Sequence, residues 1–113
     1  MQSRNTLFIT TITQAEILYG IAILPAGARK QRLGETAQAM FREDFAGKSL
    51  PFCQEAAKHF ADIASYRRGR GNPISQFDAQ IAAICYTHQA AIATRDVNDF
   101  AGCGISVVNP WKP

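Results

Sequence analysis

Acidic side chains are scarce in this chain: Asp and Glu number 9 of 113 residues against 12 Lys and Arg, a net charge of +3 with a pI of about 9.0. That balance excludes an acidic solvating tail and favours a polyanionic partner without requiring one. Cysteine is scarce as well. The three thiols, Cys53, Cys85 and Cys103, are odd in number, far apart and without a C-x-x-C pair. This excludes a secreted disulfide scaffold and fits reduced, apolar packing residues of a cytoplasmic protein. A zinc site combining them with His59 and His88 has no finger-like spacing behind it. No apolar run is long enough to cross a membrane, and Met1 to Thr6 hold one arginine and no signal-peptide core, so neither a leader nor a membrane partner is expected. Glycines 69 and 71 lack both a P-loop lysine and a preceding strand, which argues against a nucleotide cradle.

What is present is a hydrophobic content of 47%, enough for one folded domain over residues 1–113 with one modest core. Leu7 to Thr11 reads as a short buried strand. Thr13 then opens a helix with Ile17, Leu18, Ile21 and Leu24 on one face, ended by Pro25 and Gly27. A second helix, Ala28 to Phe45, directs Leu33, Ala37, Met40, Phe41 and Phe45 inward. Leu50 to Cys53 suits only a small strand or a turn. Gln54 to Arg68 is a third helix with Ala57, Phe60, Ala61 and Ala64 on its inner side. It runs into a flexible, positive loop in which Arg67, Arg68 and Arg70 could grip a phosphate backbone, though a solvated loop is the simpler account. Ser75 begins a fourth helix with a stripe of Ile81, Ala82, Ile84, Cys85 and His88. Ala90 to Thr94 and Ile105 to Val108 are two further strands, separated by the loop from Arg95 to Gly104. Helices alternating with strands imply a three-layer α/β/α domain with a parallel sheet.

The few acids admit two readings. Thr13-x-x-Glu16 and Ser75-x-x-Asp78 both have the form of a capping box, in which the hydroxyl accepts an N3 amide and the acid reaches back to the N-cap amide. Each cap would stabilise its helix by about 1 kcal/mol. The same acids also lie near the carboxyl ends of strands, where open α/β sheets place their ligands. Glu16 follows the first strand and Asp96 the strand Ala90 to Thr94; Asp78 joins them if its helix starts on that edge. Three or four converging carboxylates repel one another unless a cation sits among them, and hard oxygen ligands select Mg²⁺ or Mn²⁺. Such an ion suits phosphodiester hydrolysis. His59 and His88, on or near apolar helix faces, read as core or boundary histidines rather than bases.

Four stretches carry a family resemblance: residues 12–20 (ITQAEILYG), 73–83 (PISQFDAQIAA), 93–100 (ATRDVNDF) and 108–111 (VNPW). In order and spacing the chain resembles the PIN-domain nucleases, specifically the VapC and FitB-like toxins of bacterial toxin–antitoxin pairs, plasmid-stability proteins among them. The resemblance implies a Mg²⁺- or Mn²⁺-dependent endoribonuclease that cuts cellular RNA, is restrained by a small antitoxin and pairs as a homodimer. It assigns Glu16, Asp78 and Asp96 as the second, third and fourth acids, Asp99 as a further acid near the metal, and Thr94 as a hydroxyl supporting Asp96. It also implies an earlier hydrophobic strand, central in the sheet, ending in an Asp-Thr-Asn whose Asp is the first metal ligand. Met1 to Thr6 contain no acid, so the expected fold is PIN-like with its first central strand missing. A start drawn too late, a gene remnant, or a short form rescued by swapping or partner binding would each explain that gap. An inactive form is one consequence. Two alternatives therefore stand beside the ribonuclease: a non-catalytic PIN-fold module that binds antitoxin or RNA, and a small nucleotide-binding α/β protein, which the missing glycine-rich strand-to-helix loop disfavours.

Overall fold

The computed structural model describes residues 8–93 and 97–108, and the chain divides into two compact units, Met1–Pro51 and Phe52–Pro113. In the first unit, β1 (Ile9–Thr10) pairs in parallel with β2 (Ser49–Leu50), Ile9 opposite Ser49 and Thr10 opposite Leu50. The expected strand from Leu7 is shorter than its apolar run: Leu7 lies outside the described residues, and Thr11 already belongs to a helix.

That helix, α1 (Thr11–Ala22), is capped by Thr10, whose extended backbone (φ −92°, ψ 153°) lets its hydroxyl accept from the Thr13 amide at 3.0 Å. Thr13 is thus the capped residue and not the cap. The strand-to-helix transition takes no loop at all, because one threonine serves as last strand residue and N-cap. Helix α1 stops where Pro25 approaches, with the Ile23 and Leu24 amides folding back onto the Tyr19 and Ile21 carbonyls. Gly27, at φ 152°, then opens α2 (Ala28–Ala39). Helix α2 passes into a π-helical turn, Met40–Asp44, before the chain returns to β2. Ala37 is buried and Met40, Phe41 and Phe45 are half-buried as expected, whereas Leu33 is exposed. On α1, Ile17, Ile21 and Leu24 turn partly inward and Leu18 stays outside at 40% exposure.

The second unit is built on α3 (Gln54–Gly69) packed along α4 (Gln76–Thr87), followed by β3 (Ile92–Ala93), a 3-10 turn (Val97–Phe100) and β4 (Val107–Val108). Strands β3 and β4 pair in parallel, Ile92 opposite Val107 and Ala93 opposite Val108. The core is mostly α4, where Ala79 and every residue from Ile81 to Cys85 are buried and Ile84 is fully enclosed. Small alanines around most of that helix let its neighbours approach on several sides, so the burial is far wider than the stripe expected; His88, placed on that stripe, caps the helix and is exposed.

On α3 the inward face is Ala56, Ile63 and Arg67, with Phe60 and Ala64 half-buried and Ala57 and Ala61 exposed. The expected face is therefore rotated by about one residue. All three cysteines are free: Cys85 and Cys103 are buried and Cys53 is half-buried. Burial pushes the Cys85 thiol up to about 11. Among the described residues no helix is long and apolar enough to cross a membrane.

Candidate acidic site

Asp78 is the best-defined of the candidate acids. Ser75, with φ −65° and ψ 156°, is the N-cap of α4, and its hydroxyl accepts from the Asp78 amide at 3.2 Å. The half-buried Asp78 carboxylate consequently sits in the first turn, where the positive end of the helix dipole favours its charge. The capping half of the box is real here. The other half is not made: among the described residues no hydrogen bond joins the carboxylate back to the Ser75 amide.

Asp99 lies in the 3-10 turn Val97–Phe100 with an exposed side chain. Phe100, only 5% exposed, anchors that turn, and the amides of Ala101 and Cys103 close it onto the Asn98 and Phe100 carbonyls. The turn packs against α4, the helix that carries Asp78. Cys103 reports the same proximity: burial raises its thiol, the Arg67 hydrogen bond and charge oppose that shift, and the Asp78 charge adds to it. Asp78 and the turn bearing Asp99 thus share one neighbourhood. Asp96 and Thr94 lie outside the described residues.

Glu16 belongs to the first unit. It is exposed in the second turn of α1, six residues beyond the N-cap Thr10. This corrects the expected capping box, because an acid that far along cannot reach the N-cap amide, and the bland role for Glu16 disappears. Thr13 instead shares its hydroxyl with Thr10 at 3.0 Å, and Gln14 accepts from the Ser49 hydroxyl at 3.1 Å, tying the start of α1 to β2.

Two further expectations change. Arg67 is not part of the exposed basic loop. It is 4% exposed, and its Nε donates to the Asn72 carbonyl at 2.8 Å while its Nη1 donates to the carbonyls of Asp99 (2.8 Å) and Ala101 (3.2 Å) and to Cys103 Sγ (3.7 Å). Nor is the loop loose. Gly71 at φ 74° closes α3 as a Schellman turn, the Asn72 amide bonding the Arg67 carbonyl and the Gly71 amide the Arg68 carbonyl. Arg68 and Arg70 remain exposed, with Arg70 reaching the Tyr66 hydroxyl at 3.3 Å and lying 5.6 Å from the centre of its ring. A signal for Arg67 was available in the sequence: it falls four residues after Ile63 and eleven after Ala56, on the same helical stripe.

Among the described residues no three His, Cys, Asp or Glu side chains gather closely enough to hold a metal, and the cysteine–histidine zinc site is not formed. His59 lies against Tyr86, ring centres 4.4 Å apart and planes tilted by 51°. The acids that the resemblance singles out are all hard oxygen donors, a set whose chemistry fits Mg²⁺ or Mn²⁺ and not a thiophilic ion.

The model of the PIN domain family matches residues 1–102. The chain belongs to the PIN-domain family. Within it, the chain is 34% identical over 112 residues to the VapC ribonuclease Y4jK of Sinorhizobium fredii, an alignment covering 99% of this chain and 80% of that protein. It is 36% identical to the toxin FitB of Neisseria gonorrhoeae over 93% of this chain and 76% of FitB. In three dimensions this PIN domain superposes on a chain of FitAB bound to an IR36 DNA fragment with a TM-score of 0.91, covering 99% of this chain and 78% of that one at 34% identity. The expected PIN fold, helical with small parallel sheets, is therefore the fold observed.

Proposed function

We propose that this PIN domain is a metal-dependent endoribonuclease toxin of a type II toxin–antitoxin pair, acting on RNA in the cytoplasm and restrained by a cognate antitoxin. The observation that carries the reading is the identity with the VapC ribonuclease over 99% of the chain. The FitAB complex, matched at the same level, is the basis for an antitoxin partner. A homodimer is part of the same proposal.

The residues divide the work by chemistry. Glu16, Asp78 and Asp96 are proposed to hold Mg²⁺ or Mn²⁺, with Asp99 beside them and Thr94 supporting Asp96. The Ser75 cap holds the backbone amide of Asp78, which supports a fixed starting point for its side chain. When bound, the ion supplies Lewis acidity to the phosphodiester and to the attacking water. The exposed Arg68 and Arg70 draw the RNA backbone in, which is the role left to the basic loop once Arg67 is removed from it.

RNA cleavage by the purified chain, in Mn²⁺ and in EDTA, tests this directly. Cutting is expected in Mn²⁺ and not in EDTA, and Asp78→Asn is expected to lower it by about 100-fold or more with an unchanged circular dichroism spectrum. Metal-independent cleavage, or full activity in the variant, would remove the reading. A folded parent that holds antitoxin or RNA and cuts nothing would mark a binding module instead.

A further inference from the structure

We propose that Arg67 is the positioning residue of the acidic site, a buried guanidinium that sets the spacing between the segment leading to Asp78 and the turn carrying Asp99. The inference rests on the metal reading above and goes beyond it, since Arg67 touches neither RNA nor ion.

The geometry is a three-way tie. One edge of the guanidinium, Nε, holds the Asn72 carbonyl, and Asn72 is held a second time when its amide donates to the Arg67 carbonyl at 3.0 Å. Asn72 therefore has no freedom relative to the end of α3. Only Pro73 and Ile74 separate it from the cap Ser75, whose hydroxyl fixes the Asp78 amide. The other edge, Nη1, holds the Asp99 and Ala101 carbonyls, 32 and 34 residues away in sequence. Asp96 directly precedes the turn so held.

Burying a guanidinium is costly unless its donors find acceptors, and here Nε and Nη1 donate to main-chain carbonyls and a thiol, with no carboxylate partner among the described residues. The arginine thus acts on the backbone of the segments that carry Asp78 and Asp99, through the carbonyls of Asn72, Asp99 and Ala101. Arginine suits the task because its planar fork offers donors on two edges at fixed separation, whereas lysine offers a single point. Groups that hold metal-binding side chains in place typically alter metal affinity by about 10–100-fold.

The test is Mn²⁺ binding, read from the paramagnetic resonance signal of the free ion, on the parent, Arg67→Lys, Arg67→Met, Asp99→Asn and the double variant Arg67→Lys with Asp99→Asn, each checked by circular dichroism. Arg67→Lys is expected to fold and to weaken Mn²⁺ about tenfold, and kcat on RNA is expected to fall with KM unchanged. The double variant is expected to lose less affinity than the two single losses added together, because part of the effect of Arg67 passes through the turn that carries Asp99. Unchanged Mn²⁺ affinity in folded Arg67→Lys, or losses that simply add, would overturn the inference. Should both Arg67 variants unfold, amide exchange of the parent decides: Mn²⁺ should protect residues 72–78 and 98–103 together, and protection confined to one segment would overturn it. A parent that binds no Mn²⁺ would overturn the metal reading itself, and this inference with it.

Discussion

At the residue scale, two buried polar groups of this PIN domain meet burial in different ways. Arg67 finds carbonyl acceptors for its donors, whereas Cys85, 5% exposed, answers burial by holding its proton up to about 11, against an ordinary value of 9.0. The thiol's contribution to stability is thus fully present below pH 9 and is lost as pH rises toward 11, where only the unfolded chain ionises freely. Two pH units correspond to at most about 3 kcal/mol, and Cys103, also raised, acts in the same direction. Cys85→Ala should accordingly flatten the fall in melting temperature between pH 9 and 11; parallel curves for parent and variant would show that the thiol plays no part. The site itself was legible unevenly at this scale. Asp78 could be placed from the sequence because its cap is a local contact, Ser75 to Asp78. For Arg67 the helical stripe was readable but the tie was not, because two of the carbonyls it holds, those of Asp99 and Ala101, lie more than 30 residues away.

At the element scale, the two packed helices of the second unit end in the same way with different residues. Helix α3 closes on Gly71, and α4 closes on Gln89 at φ 54°, the Ala90 amide bonding the Cys85 carbonyl at 2.8 Å and the Gln89 amide the Tyr86 carbonyl at 3.2 Å. A side chain at that position pays for a left-handed backbone that glycine adopts freely. Gln89→Gly is expected to raise stability by about 0.5–1 kcal/mol in urea unfolding; a loss would mean the glutamine makes a compensating contact. The four α-helices were readable from the apolar pattern, whereas the π-helical turn Met40–Asp44, expected as plain helix, and the 3-10 turn Val97–Phe100, expected as loop, were not. Helix starts were harder to read. Thr13 was expected to open α1, whereas Thr10, paired with Leu50 as the last residue of β1, is the cap.

At the scale of the whole molecule, a net charge of +3 makes any RNA binding salt-dependent. In EDTA, where no cleavage should occur, log affinity should fall linearly with log salt, and replacing both Arg68 and Arg70 by alanine should make the slope shallower by about 1.4, near 0.7 for each lost phosphate contact. A slope unaffected by that change would exclude both arginines from the RNA path. The sequence by itself determined the order and kind of the elements, the parallel connection of the strands, and the family, because hydrophobic period, cap chemistry and motif order are all local or linear properties. Only the tertiary structure decided which side of α3 turns inward. Alanines lie on several faces of that helix, so composition leaves its rotation open; in the structure α3 packs along α4, its inward residues are Ala56, Ile63 and Arg67, and Arg67 is held by the carbonyls of Asn72, Asp99 and Ala101. The same rotation turned an arginine that reads as a surface charge into the buried link between two acid-bearing segments, a role set by carbonyls that no linear pattern brings together.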